Sequence, residues 1–91
     1  MGQWKHPVVV GYDTSRESEF ALQWAVDVAQ RRGVPLVVVH ATGVERPGVE
    51  LARAGILEMY QQRAQEIAEE GAARARTMAP ISVEAAGVQS G

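Results

Sequence analysis

Cysteine is missing from all 91 residues. That absence excludes disulfide scaffolds, thiolate nucleophiles, cysteine-ligated zinc and iron–sulfur clusters, and it suits a reducing compartment. An excess of one charge is missing too: nine Lys and Arg stand against eleven Asp and Glu, for a net charge of −2. Such a chain has no electrostatic pull on a phosphate backbone, so no nucleic-acid partner is expected. Long apolar stretches are also lacking. The longest runs, residues 7–10 and 34–39, fall far short of the roughly 20 residues that span a bilayer, and residues 1–6 have no signal-peptide core. Aromatic residues are few, two Trp, two Tyr and one Phe; Trp24 and Tyr60 read as packing groups, and Trp4 as a cover for a sheet edge. The chain is too short for a second core, so a single cytoplasmic domain over residues 1–91 is expected, without a membrane partner.

Phosphate-loop motifs are absent as well. No G-x-G-x-x-G occurs, and Gly43 and Gly48, which have the G-x-x-x-x-G spacing, are followed by Val49-Glu50 where Lys-Ser/Thr would be needed to hold β/γ-phosphates and Mg²⁺.

The chain does contain two β-branched runs without polar alternation, residues 8–10 (β1) and 36–39 (β2), the pattern of parallel strands buried on both faces. Between them, residues 18–32 (α1) place Ala21, Leu22, Ala25, Val28 and Ala29 on one side of a 3.6-residue wheel. Thr14 and Glu17 have capping-box spacing, and Arg31-Arg32-Gly33 supplies a helix stop. Residues 42–48 read as a loop. A second helical pattern over residues 49–79 (α2) gathers Leu57, Tyr60, Ala64, Ile67, Ala68, Gly71, Ala75 and Met78 on one arc, with small residues that let helix and sheet approach closely. One helix of that span would be about 46 Å long, so a break near Gly55 is expected. Glu70 and Arg74 are spaced for an i,i+4 pair. Ile81, Val83 and Ala85 then alternate with Ser82, Glu84 and Ala86 up to Gly87 (β3), before a turn-like end. The order β1-α1-β2-α2-β3 predicts an α/β fold with a parallel sheet of spatial order 3-2-1, one half of a doubly wound, Rossmann-like domain. β1 then lies at an edge although its uniform apolarity suits a central position, so a second copy is expected to pair there.

Ligands of open α/β sheets bind at the carboxyl ends of the strands, and here that place is Gly11-Tyr12-Asp13-Thr14-Ser15. Two readings stand side by side. Asp13 can accept from a ribose hydroxyl or help hold a metal–phosphate complex while Thr14, Ser15 and the helix amides meet an anion, or these three residues only cap α1. His40 has no obvious partner in the sequence and reads as structural, and His6 makes no pair with it; no catalytic or metal-ligating set is assigned.

In order, Val8-Val9-Val10-Gly11-Tyr12-Asp13-Thr14-Ser15, then Ser18, Ala21-Leu22, Trp24-Ala25 and Ala29, then Val34-Pro35-Leu36-Val37-Val38-Val39-His40-Ala41 resemble the start of a universal stress protein (UspA) domain of the arginine- and alanine-rich actinobacterial kind. The resemblance implies an adenine nucleotide α-hydrolase-like fold of five strands, order 3-2-1-4-5, commonly a homodimer, with adenosine held between β1, β2 and a fourth strand. Asp13 would face ribose and phosphates with Tyr12 and Thr14 beside it, and Ala41 would touch adenine. In ATP-binding members a G-x-x-G-x9-G-Ser/Thr stretch after the fourth strand clasps the phosphates, and no such stretch occurs here. The expectation is therefore a domain truncated before that segment: a nucleotide-responsive stress module, non-enzymatic or a very slow ATPase, with weak or no ATP binding of its own and Mg²⁺ only with ATP. The rival is an oligomerisation module of the same fold. An ATP-pyrophosphatase of the related group ranks last, since those show S-G-G-x-D-S where this chain has Gly11-Tyr12-Asp13-Thr14-Ser15.

Overall fold

The computed structural model describes residues 6–43 and 56–90. Five elements follow one another: β1 Val8–Gly11, α1 Arg16–Arg32, β2 Leu36–Gly43, α2 Ile56–Met78 and β3 Val83–Ser90. All strands are parallel and lie in the order β1-β2-β3, so the predicted 3-2-1 sheet is what the sequence forms. Val8 sits opposite Leu36 and Gly11 opposite Val39, while Leu36 sits opposite Val83 and Gly43 opposite Ser90. Trp4, the expected loop beyond Gly43 and the expected break at Gly55 lie outside the described residues.

β2 and β3 run further than local composition suggests. Thr42 and Gly43, read as loop, and Gly87 to Ser90, which lie beyond the expected end of the strand and close on a turn-like residue, instead form the distal half of one parallel ladder. A register established at Leu36 and Val83 continues as long as both backbones supply partners, and that cooperativity overrides the turn preference of single glycines.

The helices cover one face of the sheet. Leu22, Ala25, Val26 and Ala29 of α1 and Ala72, Ala75 and Ala79 at the end of α2 close over Val10, Leu36, Val38 and Val83, and this is the core. Two right-handed crossovers that progress in one direction put both helices on one side. The strands are therefore buried on a single face, contrary to the two-sided burial that their composition suggests: Val9 is 63% exposed, and Val37 and Val39 are half-buried. Trp24, expected as a packing group, lies with Phe20 on the outer arc of α1 and is 67% exposed, because the wheel turns both rings away from the sheet. Tyr60 is exposed as well.

Small residues between α2 and the sheet perform the expected service at two positions, one on the helix and one on β3. A Cβ on Gly71 would lie 2.7 Å from Tyr12 Cδ2 and 2.9 Å from Val38 Cγ1, so only glycine admits the Tyr12 ring between helix and sheet. A Cβ on Gly87 would lie 2.5 Å from the backbone of Ala64 and Gln65, so β3 and α2 are in direct main-chain contact there. Gln65 completes this contact. Its Oε1 accepts from Gly87 N at 2.9 Å, its Nε2 donates to Ala85 O at 3.4 Å, and Arg76 Nη2 donates to Val83 O at 2.9 Å. The outer backbone edge of β3 is thus sealed by side chains of α2.

Gly71→Ala separates these effects. Alanine gains helix propensity of about 1 kcal/mol over glycine, yet its methyl group would overlap a buried ring that has nowhere to retreat. The variant is expected to lose a net ~1–3 kcal/mol in urea unfolding, whereas Ala73→Gly on the exposed side of the same turn loses about 1 kcal/mol by propensity alone.

Candidate functional site

The carboxyl ends of β1 and β2 open into a shallow cleft of about 530 Å³ lined by Gly11, Tyr12, Asp13, Ser15, Glu17, Ser18 and Ala21 on one side and Val39, His40 and Ala41 on the other. Its shape begins with a turn. Asp13 Oδ1 accepts from Ser15 N at 3.0 Å, which folds the chain around Thr14 and leaves Thr14 with φ of 68°. A β-branched residue in the left-handed region costs about 1–2 kcal/mol, and the turn is held by hydrogen bonds on both flanks. Ser15, not Thr14, is the N-cap: its Oγ accepts from Ser18 N at 3.1 Å, and Ser18 Oγ donates to Ser15 O at 2.9 Å. The cap shifts by one residue because Thr14's left-handed backbone cannot turn its hydroxyl onto the first helical amides, whereas Ser15 has the extended backbone of a cap, φ −74° and ψ 163°.

Asp13 itself is exposed at the lip. Hydrogen bonds from the Ser15 hydroxyl and backbone amide hold its carboxyl below the usual range, with Ser18 and the neighbouring His40 adding to the effect. It is an ionised acceptor with free lone pairs. Organising the turn occupies Oδ1, and the carboxylate remains exposed in the lining of the cleft.

Tyr12 has a different place from the one its sequence position suggests. Its ring turns under the cleft into the Gly71 notch, and its hydroxyl donates to Glu19 Oε2 at 2.7 Å. Glu19 also receives Arg74 Nε at 2.5 Å, so Arg74 pairs across to α1 and not with Glu70 four residues back. The cross-helix partner wins because Glu19 is half-buried between the helices and already held by Tyr12, while Glu70 points to solvent. Burial, and the ionised Glu19 at the end of its hydrogen bond, push the Tyr12 phenol up to about 12. The Tyr12 hydroxyl and the Arg74 guanidinium together hold the Glu19 carboxyl below its usual value.

Among the residues expected at the site, Tyr12, Asp13, Ser15 and Ala41 line the cleft, and Thr14 does not. Tyr12 borders it at the floor. Sequence reasoning passed over Ser18 and His40. Ser18 was visible as the third residue after Ser15, the spacing of a reciprocal cap. His40 was visible as the polar residue that directly follows the apolar run 36–39, where a parallel sheet sets it beside the turn after β1; its Nδ1 lies 2.8 Å from Tyr12 O. Among the described residues no group of three His, Cys, Asp or Glu is arranged to hold a metal ion, and no helix is long and apolar enough to cross a membrane.

Comparison with known proteins gives consistent results. A family model described as the universal stress protein family matches residues 5–90. Universal stress protein Rv2005c of Mycobacterium tuberculosis is 48% identical over 50 residues, which cover 50% of this chain and 17% of that protein, and universal stress protein Mb2028c of Mycobacterium bovis matches to the same extent. The universal stress protein structure from Archaeoglobus fulgidus superposes with a TM-score of 0.68 at 29% identity, covering 97% of this chain and 60% of that one. A family member from Burkholderia pseudomallei superposes with a TM-score of 0.67 at 18% identity over 91% of this chain and 61% of its own, a likeness of fold. The chain thus spans about 60% of these structures and a much smaller part of the curated relatives it matches.

The Tyr12 phenol is neutral in the fold, and its raised value gives a sign to the pH dependence. The stability it contributes is complete below its ordinary value of 10.0 and is lost as pH climbs through about 12. Tyr12→Phe is expected to cost about 1 kcal/mol near neutral pH through the lost hydrogen bond. It should also flatten the part of the alkaline decline that wild type shows between those two values, as read by denaturant melts across the range.

Proposed function

The chain belongs to the universal stress protein family, and from that premise we propose that its cleft is the nucleoside-facing part of an ATP-responsive regulatory site working in the cytoplasm. The observation that carries this reading is the pairing of Asp13 with Ala41 across the cleft. One is an ionised acceptor at the end of β1, suited to ribose hydroxyls; the other is exposed at the end of β2, where a flat base can lie against the strand. Ser15 lies between them at the start of α1. Magnesium would enter only with phosphates, sharing the Asp13 carboxylate.

The balance of charge in the cleft limits what these residues do alone. Its described lining includes two carboxylates, Asp13 and Glu17, and neither Lys nor Arg, so these residues offer the uncharged nucleoside more than they offer the polyphosphate. We assign it a binding role in a stress-regulatory module rather than bond-breaking chemistry. Calorimetry at about pH 8 is expected to show adenosine binding at least as tightly as ATP, and Asp13→Asn weakening adenosine about tenfold through the lost charge-assisted acceptor. Absence of heat with both ligands would remove the nucleotide reading.

A second reading is supported by the contrast between the two sheet edges. Val8 N donates to Pro35 O and Tyr12 N to Val39 O, so Val9 and Gly11, by alternation, turn their amides and carbonyls outward. No partner meets them among the described residues, whereas α2 seals β3. We propose that a second copy pairs along β1. Val9→Pro deletes one outward N–H and leaves the ladder to β2 intact; light scattering after chromatography should show concentration-dependent association in wild type and less of it in the variant. A wild type that stays monomeric at every concentration would exclude this pairing.

A further inference from the structure

His40 was set aside as structural in the sequence, and one of its nitrogens is indeed occupied by structure. Nδ1 lies 2.8 Å from the Tyr12 carbonyl oxygen. A carbonyl only accepts, so Nδ1 carries the proton, and in the neutral ring Nε2 is left as a lone-pair acceptor. No partner of Nε2 occurs among the described residues, and the ring lines the cleft. The groups around it are unequal in charge. From the turn comes Asp13, ionised, and from the first turn of α1 comes Glu17; Ser15 and Ser18 bring neutral hydroxyls. From β3 the register partner is Gly87, which has no side chain and whose amide donates to the neutral Gln65 of α2. Arg74 is committed to Glu19, which is also bound by the Tyr12 hydroxyl.

We propose that His40 is a ligand-contacting residue of this cleft that couples the binding of a phosphorylated ligand to the uptake of a proton at Nε2. The inference rests on the nucleotide reading above and adds a property that reading does not require. Protonation leaves the Nδ1–H bond to Tyr12 in place and turns Nε2 from an acceptor into a second donor, so no internal contact is lost. The imidazolium is also the one cation that the described lining of the cleft can acquire, since its other ionisable side chains are carboxylates and the Tyr12 phenol. A ligand carrying phosphate meets two carboxylates and a neutral ring before protonation, and two carboxylates and a positive ring after it. Its affinity therefore rises when His40 is protonated, while that of an uncharged nucleoside does not.

Calorimetry of ATP at about pH 6 and about pH 8, each in two buffers of different ionisation enthalpy, tests this on the wild-type chain and on His40→Gln, with adenosine as the uncharged comparator. Wild type is expected to take up more protons than the variant on binding ATP, and to bind it about tenfold more tightly at the lower pH, beyond the change common to both proteins from the ligand's own phosphates. Adenosine should show neither difference. ATP binding with equal proton uptake in the two proteins would overturn the role of His40 and leave the nucleotide reading intact. Failure of ATP and adenosine alike to bind would remove that reading and this inference with it. Should His40→Gln not fold, the wild-type imidazole resonances decide: ATP is expected to raise the His40 titration midpoint, and an unmoved midpoint overturns the coupling.

Discussion

The site depends on one steric fact, the seating of the Tyr12 ring where Gly71 has no side chain. β1 ends at Gly11, and the next residue decides whether the following turn lies over the sheet or floats away from it. With its ring wedged between α2 and Val38, and its amide bonded to Val39 O at 2.8 Å, Tyr12 carries the β1 backbone one residue past the ladder before releasing it. Asp13 then starts from a fixed point. The strained Thr14 is affordable only because this anchor lies on one side of it and the Ser15–Ser18 cap on the other.

The same ring organises charge at a distance from the cleft. Its hydroxyl takes one face of the Glu19 carboxylate and Arg74 takes another, which ties α1, α2 and the end of β1 through a single acceptor. A surface ion pair alone contributes little. A pair whose carboxylate is also held by a buried hydroxyl is fixed in geometry, and it commits Arg74 to Glu19. Six arginines belong to the two helices as described, Arg16, Arg31, Arg32, Arg63, Arg74 and Arg76, and none of them is among the described residues that line the cleft; Arg74 is held by Glu19 and Arg76 by Val83 O.

How much of this was legible in the sequence follows from the range of each interaction. Strand type, helix spacing and the parallel order were readable because each is set by neighbours within one turn or by a rule of handedness. The distal ends of β2 and β3 were not, since Thr42, Gly43 and Gly87 take their conformation from a partner strand and not from their own preferences. Local rules also named the wrong partner for Arg74, because i,i+4 spacing identifies Glu70 and cannot see a carboxylate on another helix. His40 found its partner 28 residues away in the chain. Asp13, Ser15 and Ala41 come together at one cleft because the carboxyl ends of parallel strands gather by topology alone; Thr14, with its left-handed backbone, is not among the lining residues.

The contrast between the two sheet edges follows from the same helix. α2 reaches β3 closely enough for Gln65 and Arg76 to occupy the outward amide of Gly87 and the outward carbonyls of Ala85 and Val83. Such closeness requires the Ala64–Ala68–Ala72–Ala75 stripe and the missing side chain at Gly87. No equivalent stripe faces the other edge: α1 turns Phe20 and Trp24 outward and supplies β1 with no side-chain hydrogen bond. An edge strand that is apolar on its bare face and unblunted by charge or proline is open to pairing. α2 covers one edge, the β1 edge has no partner among the described residues, and that edge belongs to the same strand whose end leads to Asp13. A strand added there would border the cleft, so the open sheet edge and the cleft are parts of one surface.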